Sequence, residues 1–329
     1  MKKRLILHVG IHKTGTTAIQ SFLSINHELL RKKGYYVPVN HFTYENKATA
    51  FREAIWNNKP DDYEPVIRDI IENSDYYNCD TIVLSDEDFY HFALQRNKNI
   101  NVLEKYFDIE LIMYIRRQDK FAESVYGFSV QWFSTRFTEE FSSWVKKFPL
   151  KNYKWDIDQW EDLFKYPILK LRVYDEVILF QDVILDFIHT IGLNIDDNWF
   201  FPTPDKSNVT LNKHIIEFLR RTNHIKMTKG EFESLKEFLV NESSIRSGPK
   251  AIYLSFDERT EMLKRAEETN RYIAKKYFNR NFLFPKVEKT PVPEELTDKM
   301  FEIVLNELKE SPKHRETIGN KILSQIGSA

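Results

Sequence analysis

The segment 5–17 reads LILHVGIHKTGTT: an apolar run, then Gly10, then Gly15, then the start of an amphipathic stretch. A nearly continuous apolar run closed by glycine reads as a strand buried on both faces. Ile19, Phe22, Leu23, Leu29 and Leu30 follow at helical spacing, and Gly34 supplies a stop. A strand, a glycine-punctuated loop and a helix N-terminus form the layout that grips phosphate. Backbone amides converge on one concavity there, and the helix dipole favours an anion. The lysine is displaced from the place an ATP-binding loop needs it. The G-x-x-x-x-G-K-[ST] pattern puts lysine directly after the second glycine. Thr16 stands at that position, and Lys13 lies inside the loop. Gly10 lets the chain turn sharply off the strand, and Gly15 lets backbone approach a ligand closely. Thr14, Thr16 and Thr17 add hydroxyl donors, and Lys13 adds a mobile point charge. Tight holding of β- and γ-phosphates with Mg²⁺ is disfavoured. Two glycines alone could be a plain turn with Thr14 or Thr16 as N-cap; three threonines and a lysine at the same junction favour the anion site.

Three further apolar runs repeat the strand pattern, at 81–84 (TIVL), 111–115 (LIMYI) and 168–173 (ILKLRV). Helical spacing follows each, at 89–94, 121–133 and 177–191, the last ending at Gly192. Strands alternating with helices predict a three-layer α/β fold of P-loop type, a parallel sheet flanked by helices. Ligands of such sheets gather at the carboxyl ends of the strands. From 211 onward the chain reads as mainly helical, over 211–221, 229–239, 256–278 and 294–310. The proline-bearing stretch 284–293 marks a boundary between an α/β domain at 1–285 and an appended helical segment at 286–329.

At 329 residues, with 42% hydrophobic residues and 25 phenylalanines, the chain can fill a sizeable core. A net charge of −1 gives no general pull toward nucleic acid or an anionic membrane, so an anionic ligand must be met by local charge. The single cysteine, Cys79, excludes an intramolecular disulfide and fits a reducing compartment. The apolar run after Lys2, Lys3 and Arg4 is too short for a signal-peptide core. No run reaches the ~20 apolar residues of a membrane span. The expectation is a cytoplasmic protein without a transmembrane segment or a nucleic-acid partner.

A second cationic cluster follows the 111–115 strand: Arg116, Arg117, Gln118, Asp119 and Lys120, with Ser124 on the next helix. An arginine at that strand end and a serine one or two turns into the helix form a charge-assisted clamp for a second anion. A solvated arginine pair capping the sheet is the plainer alternative.

The segment His12-Lys13-Thr14-Gly15-Thr16-Thr17 resembles the P-K-[ST]-G-T-T loop of sulfotransferases that use 3′-phosphoadenosine 5′-phosphosulfate (PAPS). The family lysine maps to Lys13, and His12 replaces a common proline. The resemblance implies that this loop holds the 5′-phosphosulfate. The family's 3′-phosphate site has an arginine after a strand and a serine eight residues later, the separation of Arg116 and Ser124. The usual R-x-P is here Arg116-Arg117-Gln118, so either arginine could make the contact. Arg172-Val173-Tyr174-Asp175 is similar to the family's Y-E-D segment, which implies that Tyr174 lies near the adenine. The stretch 206–211 (KSNVTL) resembles an N-x-S-L stretch of bacterial members. The resemblance spans 4–285 and implies a PAPS-dependent sulfotransferase acting on an acceptor hydroxyl, with a carbohydrate or glycan as first guess.

Sulfuryl transfer asks mainly for positioning and for charge stabilisation at oxygen. Lys13 suits the leaving oxygen. Glu87, in Ser85-Asp86-Glu87-Asp88 after the second strand, is the first candidate for the base that takes the acceptor proton; Asp86, His12 and His91 are the others. Acids in a first helical turn are also favoured simply by the dipole. No H-E-x-x-H, C-x-x-C or EF-hand spacing occurs, and the chemistry needs no metal.

Overall fold

Strand β1 (Lys3–His8) sits at the centre of a five-stranded parallel sheet because its apolar residues leave neither face fit for water. The computed structural model describes residues 2–42, 46–165, 167–180, 182–194, 199–202 and 211–326. The other strands are β2 (Tyr35–Tyr36), β3 (Thr81–Ser85), β4 (Phe107–Ile115) and β5 (Ile168–Val173), and the order across the sheet is β2-β3-β1-β4-β5. Leu7 pairs in register with Leu84 of β3 and Leu111 of β4. The four longer strands cover the four apolar runs of the sequence, and β4 starts earlier than its run. Its early acid, Glu110, is buried yet satisfied: Arg4 donates to it at 2.9 and 3.0 Å, and the Lys170 ammonium lies 2.8 Å away.

One sheet face carries Ile6, Val83, Ile112 and Tyr114, covered by Ile19, Phe22 and Leu23 of the helix Thr16–Ile25 and by Phe187, Ile188 and Ile191 of the helix Val183–Ile191. Burying such side chains contributes roughly 1.5–3 kcal/mol each. The stretch read as one helix over 177–191 is two, Tyr174–Phe180 and Val183–Ile191. Asp182 interrupts it because its carboxylate accepts the Ile184 amide at 2.7 Å and caps the second helix. The stretch 256–278 likewise splits, into Phe256–Arg265 and Glu267–Phe278.

The chain forms two units by its contacts. The first comprises Met1–Arg117, Lys151–Lys206 and Arg265–Lys286 and holds the sheet; the second comprises Gln118–Leu150, Ser207–Lys264 and Val287–Ala329. One joint, at 286/287, falls within the proline-bearing stretch 284–293. Among its described residues the second unit is helical, built around Tyr126, Phe218, Leu219, Phe232, Phe238 and Leu308. Its helix Gln118–Gln131 is tied in by Arg259, which donates to Asp119 and to Glu123 at 2.6 Å. Of the KSNVTL stretch, 206–210 lies outside the described residues. No described helix is long and apolar enough to cross a membrane.

Candidate active site at the sheet switch point

Three neighbouring strands, β3, β1 and β4, end side by side. The chain leaves β1 toward β2 and leaves β4 toward β5, so the connections part at the β1/β4 boundary. It is at such a divergence that α/β sheets generally bind ligands. The loop after β1 is stitched to β4 beyond the strand itself: Val9 donates to Ile112, Ile11 donates to Tyr114, and Tyr114 donates back to Gly10 at 2.7 Å.

Gly10 (φ 85°), Lys13 (φ 66°) and Gly15 (φ 81°) all adopt the left-handed region. A Cβ on Gly10 would lie 3.1 Å from the Glu87 Cβ, so glycine is needed both for the turn and for the close approach of the β3 end. A Cβ on Gly15 would meet Val183 at 3.0 Å and the Tyr174 ring at 3.2 Å. Lys13 is not glycine, and its backbone carries strain of the kind that clusters at ligand clamps. The Thr14 hydroxyl donates to the Ile11 carbonyl at 2.6 Å, and Thr16 donates to the same carbonyl at 3.4 Å. These two threonines therefore hold the loop's own shape, while Thr17 is exposed. Gly15 is the N-cap residue of the helix Thr16–Ile25, and no side chain caps that end. Helix ends without a side-chain cap are places where anions generally bind.

Arg116 leaves the end of β4 and donates through Nη1 to the Lys13 carbonyl at 2.8 Å. Its guanidinium lies over the Tyr174 ring, 5.4 Å from the centroid, and its buried Nε has no hydrogen-bond partner among the described residues. The Tyr153 hydroxyl holds its carbonyl. Arg117 turns the other way: its Nη1 donates to the carbonyls of Pro285 and Lys286 at 3.3 and 3.4 Å, and its amide donates to Asp175. Of the two arginines, Arg116 is the one that faces the loop. Burial, and then the Arg116 charge, push the Lys13 ammonium down to about 8, with Glu87 pulling the other way. Lys13, Arg116 and Tyr174 are thus together. Ser124 lies in the helix Gln118–Gln131, within the second unit.

Glu87 is buried at the end of β3. One carboxylate oxygen accepts Gln20 Nε2 at 2.7 Å, and the other lies 2.8 Å from the Lys47 ammonium. Burial alone would raise its pKa, but Lys47 and Gln20 outweigh that and leave it below its ordinary value. Asp86, fully buried, accepts from Arg52 at 2.9 Å and caps the following turn through the Asp88 amide at 2.9 Å. Burial raises it to about 6 despite Arg52. His8 is also fully buried beneath the site, its Nδ1 against the Ser85 hydroxyl at 2.8 Å, and burial lowers it to about 4. His12 and His91 both approach Asp88, at 3.4 and 3.7 Å. Gln20, Lys47 and Arg52 escape a reading of the sequence. They lie in segments without chemistry-bearing spacing and reach the site only through folding.

Two surface grooves of the first unit lie elsewhere, one beside Arg96, Lys98 and Gln159 and one beside Arg31, Tyr36 and Asn73. Neither is lined by a residue of the loop, so the converging charges rather than concavity single out the switch point.

No protein-family model matches the chain. An uncharacterized protein of Archaeoglobus fulgidus is 24% identical to it over 190 residues, which is 55% of this chain and 51% of that protein. The match thus spans about half the length of that relative.

Proposed function

We propose that this protein is a PAPS-dependent sulfotransferase that moves a sulfuryl group to an acceptor hydroxyl on a carbohydrate or glycan. The observation that carries the reading is the pairing of two cations at the switch point. Lys13 lies inside the loop instead of following its second glycine, and Arg116, just after β4, grips that lysine's carbonyl while keeping a buried N–H unsatisfied. An anionic ligand would satisfy that group, the uncapped helix end and the partly desolvated Lys13 together. These features and the two tight glycines fit a phosphosulfate.

When bound, PAPS supplies the activated sulfuryl group, and the 3′,5′-bisphosphate is what remains of it. The amides of 13–17 would hold its 5′ end. Lys13 stabilises negative charge that develops on a leaving oxygen, the kind of preorganised contact on which such transfers depend. Arg116, rather than Arg117, is the arginine available for the 3′-phosphate, and Tyr174 offers a ring beside it. A role for Ser124 rests on its spacing from Arg116. Glu87 is the acceptor-side base: it is ionised at neutral pH, and its hydrogen bonds to Gln20 and Lys47 hold it at the β3 end. A kinase reading gains nothing from the site, because Thr16 replaces the required lysine and Asp86 is engaged by Arg52 and a backbone amide. The buried Cys79 suits a reducing cytoplasmic setting.

The test is transfer of radiolabelled sulfate from PAPS to a panel of glycans by the wild-type protein and by Lys13→Ala. Label transfer that Lys13→Ala abolishes supports the proposal. Hydrolysis or transfer of γ-labelled ATP, with no sulfate transfer, would sink it.

A further inference from the structure

Outside the loop's anion cradle, one cluster of potential metal ligands is present among the described residues: His12, Asp88 and His91. Asp88 belongs to the turn Glu87–Phe89 and His91 to the adjoining helix Tyr90–Leu94, three residues apart and so on one face. His12 reaches them from the loop after β1. The Asp88 Oδ1 lies 3.4 Å from His12 Nε2 and 3.7 Å from His91 Nε2, and the three ligand atoms lie within 4.8 Å of one another. Tetrahedral zinc with bonds of ~2.0–2.1 Å holds neighbouring ligand atoms roughly 3.3 Å apart. Two of the three separations are already close to that value, and side-chain rotation about exposed bonds closes the third.

The surroundings favour the same use. The three side chains are 42%, 29% and 45% exposed, so an ion can enter and an outward position stays open. The second oxygen of Asp88 faces Arg52 at 3.9 Å, which orients the carboxylate. The two nearby cations have acids of their own, Arg52 in Asp86 and Lys47 in Glu87. Asp88 thus meets Arg52 through one oxygen and the two histidines through the other.

We propose that His12, Asp88 and His91 bind one divalent transition-metal ion of the zinc class through two imidazole nitrogens and one carboxylate oxygen, with a further position open to solvent. Two imidazoles and a single carboxylate select Zn²⁺, Co²⁺ or Ni²⁺ over Mg²⁺ and Ca²⁺, which prefer oxygen. The site does not depend on PAPS binding. Its chemical consequence is that a ligated His12 gives up the lone pair with which it could accept a proton, so Glu87 alone remains beside Lys13 as base.

The experiment is a Co²⁺ titration of the tag-free, full-length protein, stripped with chelator and dialysed, followed by its visible d–d absorption. Wild type is expected to take up one equivalent in a spectrum of low coordination number, and Zn²⁺ should bleach it. His91→Ala and Asp88→Asn should each weaken binding at least ~10-fold, the lower end of what losing even an outer partner costs a metal site. His189→Ala, an exposed histidine elsewhere, should change nothing, and thermal melts should show that all variants fold. Absence of one-equivalent binding would overturn the proposal, as would binding that survives both His91→Ala and Asp88→Asn.

Discussion

Lys13 is the residue on which most turns, because its backbone is strained and its ammonium is partly desolvated. Lys13→Ala is expected to lower kcat by ~10²–10³-fold, the range for losing one preorganised donor to developing charge, while circular dichroism stays unchanged. The lowered pKa gives a pH signature with a definite sign. The free protein loses the Lys13 proton through about pH 8, whereas a bound anion favours the ammonium and raises its pKa. Binding therefore takes up a proton above that point. Calorimetry should find that 3′,5′-bisphosphate affinity falls as pH rises through 8, by at most tenfold per unit, and that Lys13→Met removes the slope. At Glu87 the sign is opposite. Its pKa lies below the ordinary carboxylate value, so it is ionised across the neutral range and its titration leaves the rate flat there. Glu87→Gln should cost ~10²–10⁴ in kcat, the typical contribution of a general base. A small loss confined to KM would instead make Glu87 a loop-holding residue. Lys13, Arg116 and Tyr174 were legible because Arg116 and Tyr174 directly follow strands and Lys13 lies in the loop after one, so all three fall at the carboxyl edge of the sheet. Lys47 and Gln20 were not, because their contact with Glu87 joins positions far apart in the chain.

Among elements, the β1-loop-helix unit carries the site and depends on its glycines. Gly10→Ala forces a Cβ to 3.1 Å from Glu87 and puts an L side chain at φ 85°. The left-handed conformation alone costs roughly 1–2 kcal/mol. Chemical denaturation should show at least that loss, with bisphosphate binding weakened because the loop and the β3 end move apart. Wild-type affinity in this variant would mean that the loop is not the ligand's seat. The four main strands could be read from their apolar runs; β3 is buried throughout, whereas the edge strand β5 keeps Lys170 and Arg172 between its apolar residues. Helix boundaries could not. Asp182 is a cap rather than an interior residue, a choice its neighbours in space decide. The helix Pro60–Tyr76 went unread because Pro60 opens it, Pro65 sits within it and its exposed face is acidic. Such a pattern reads as broken unless Tyr63, Ile67 and Ile70 are known to meet a core.

For the whole molecule, the ligand preference is the decisive prediction. At a hundredfold excess over Kd, a ligand that binds only the folded state adds about 2.7 kcal/mol. The 3′,5′-bisphosphate should thus raise the melting temperature by several degrees without Mg²⁺, and ATP–Mg²⁺ should do little. The reverse order would favour a nucleotide triphosphatase. The sequence by itself determined the parallel α/β architecture and the glycine-punctuated loop after β1, because both follow from local patterns: apolar runs of strand length, glycines where the chain must turn left-handed, and a lysine between them. Only the tertiary structure decided which charges serve the site. It turned Arg116 inward and Arg117 onto the backbone at 285 and 286, gave Glu87 its lysine, and brought His12 to Asp88 and His91. Those outcomes depend on distances of a few ångströms between segments remote in sequence, and packing of the whole sheet sets such distances.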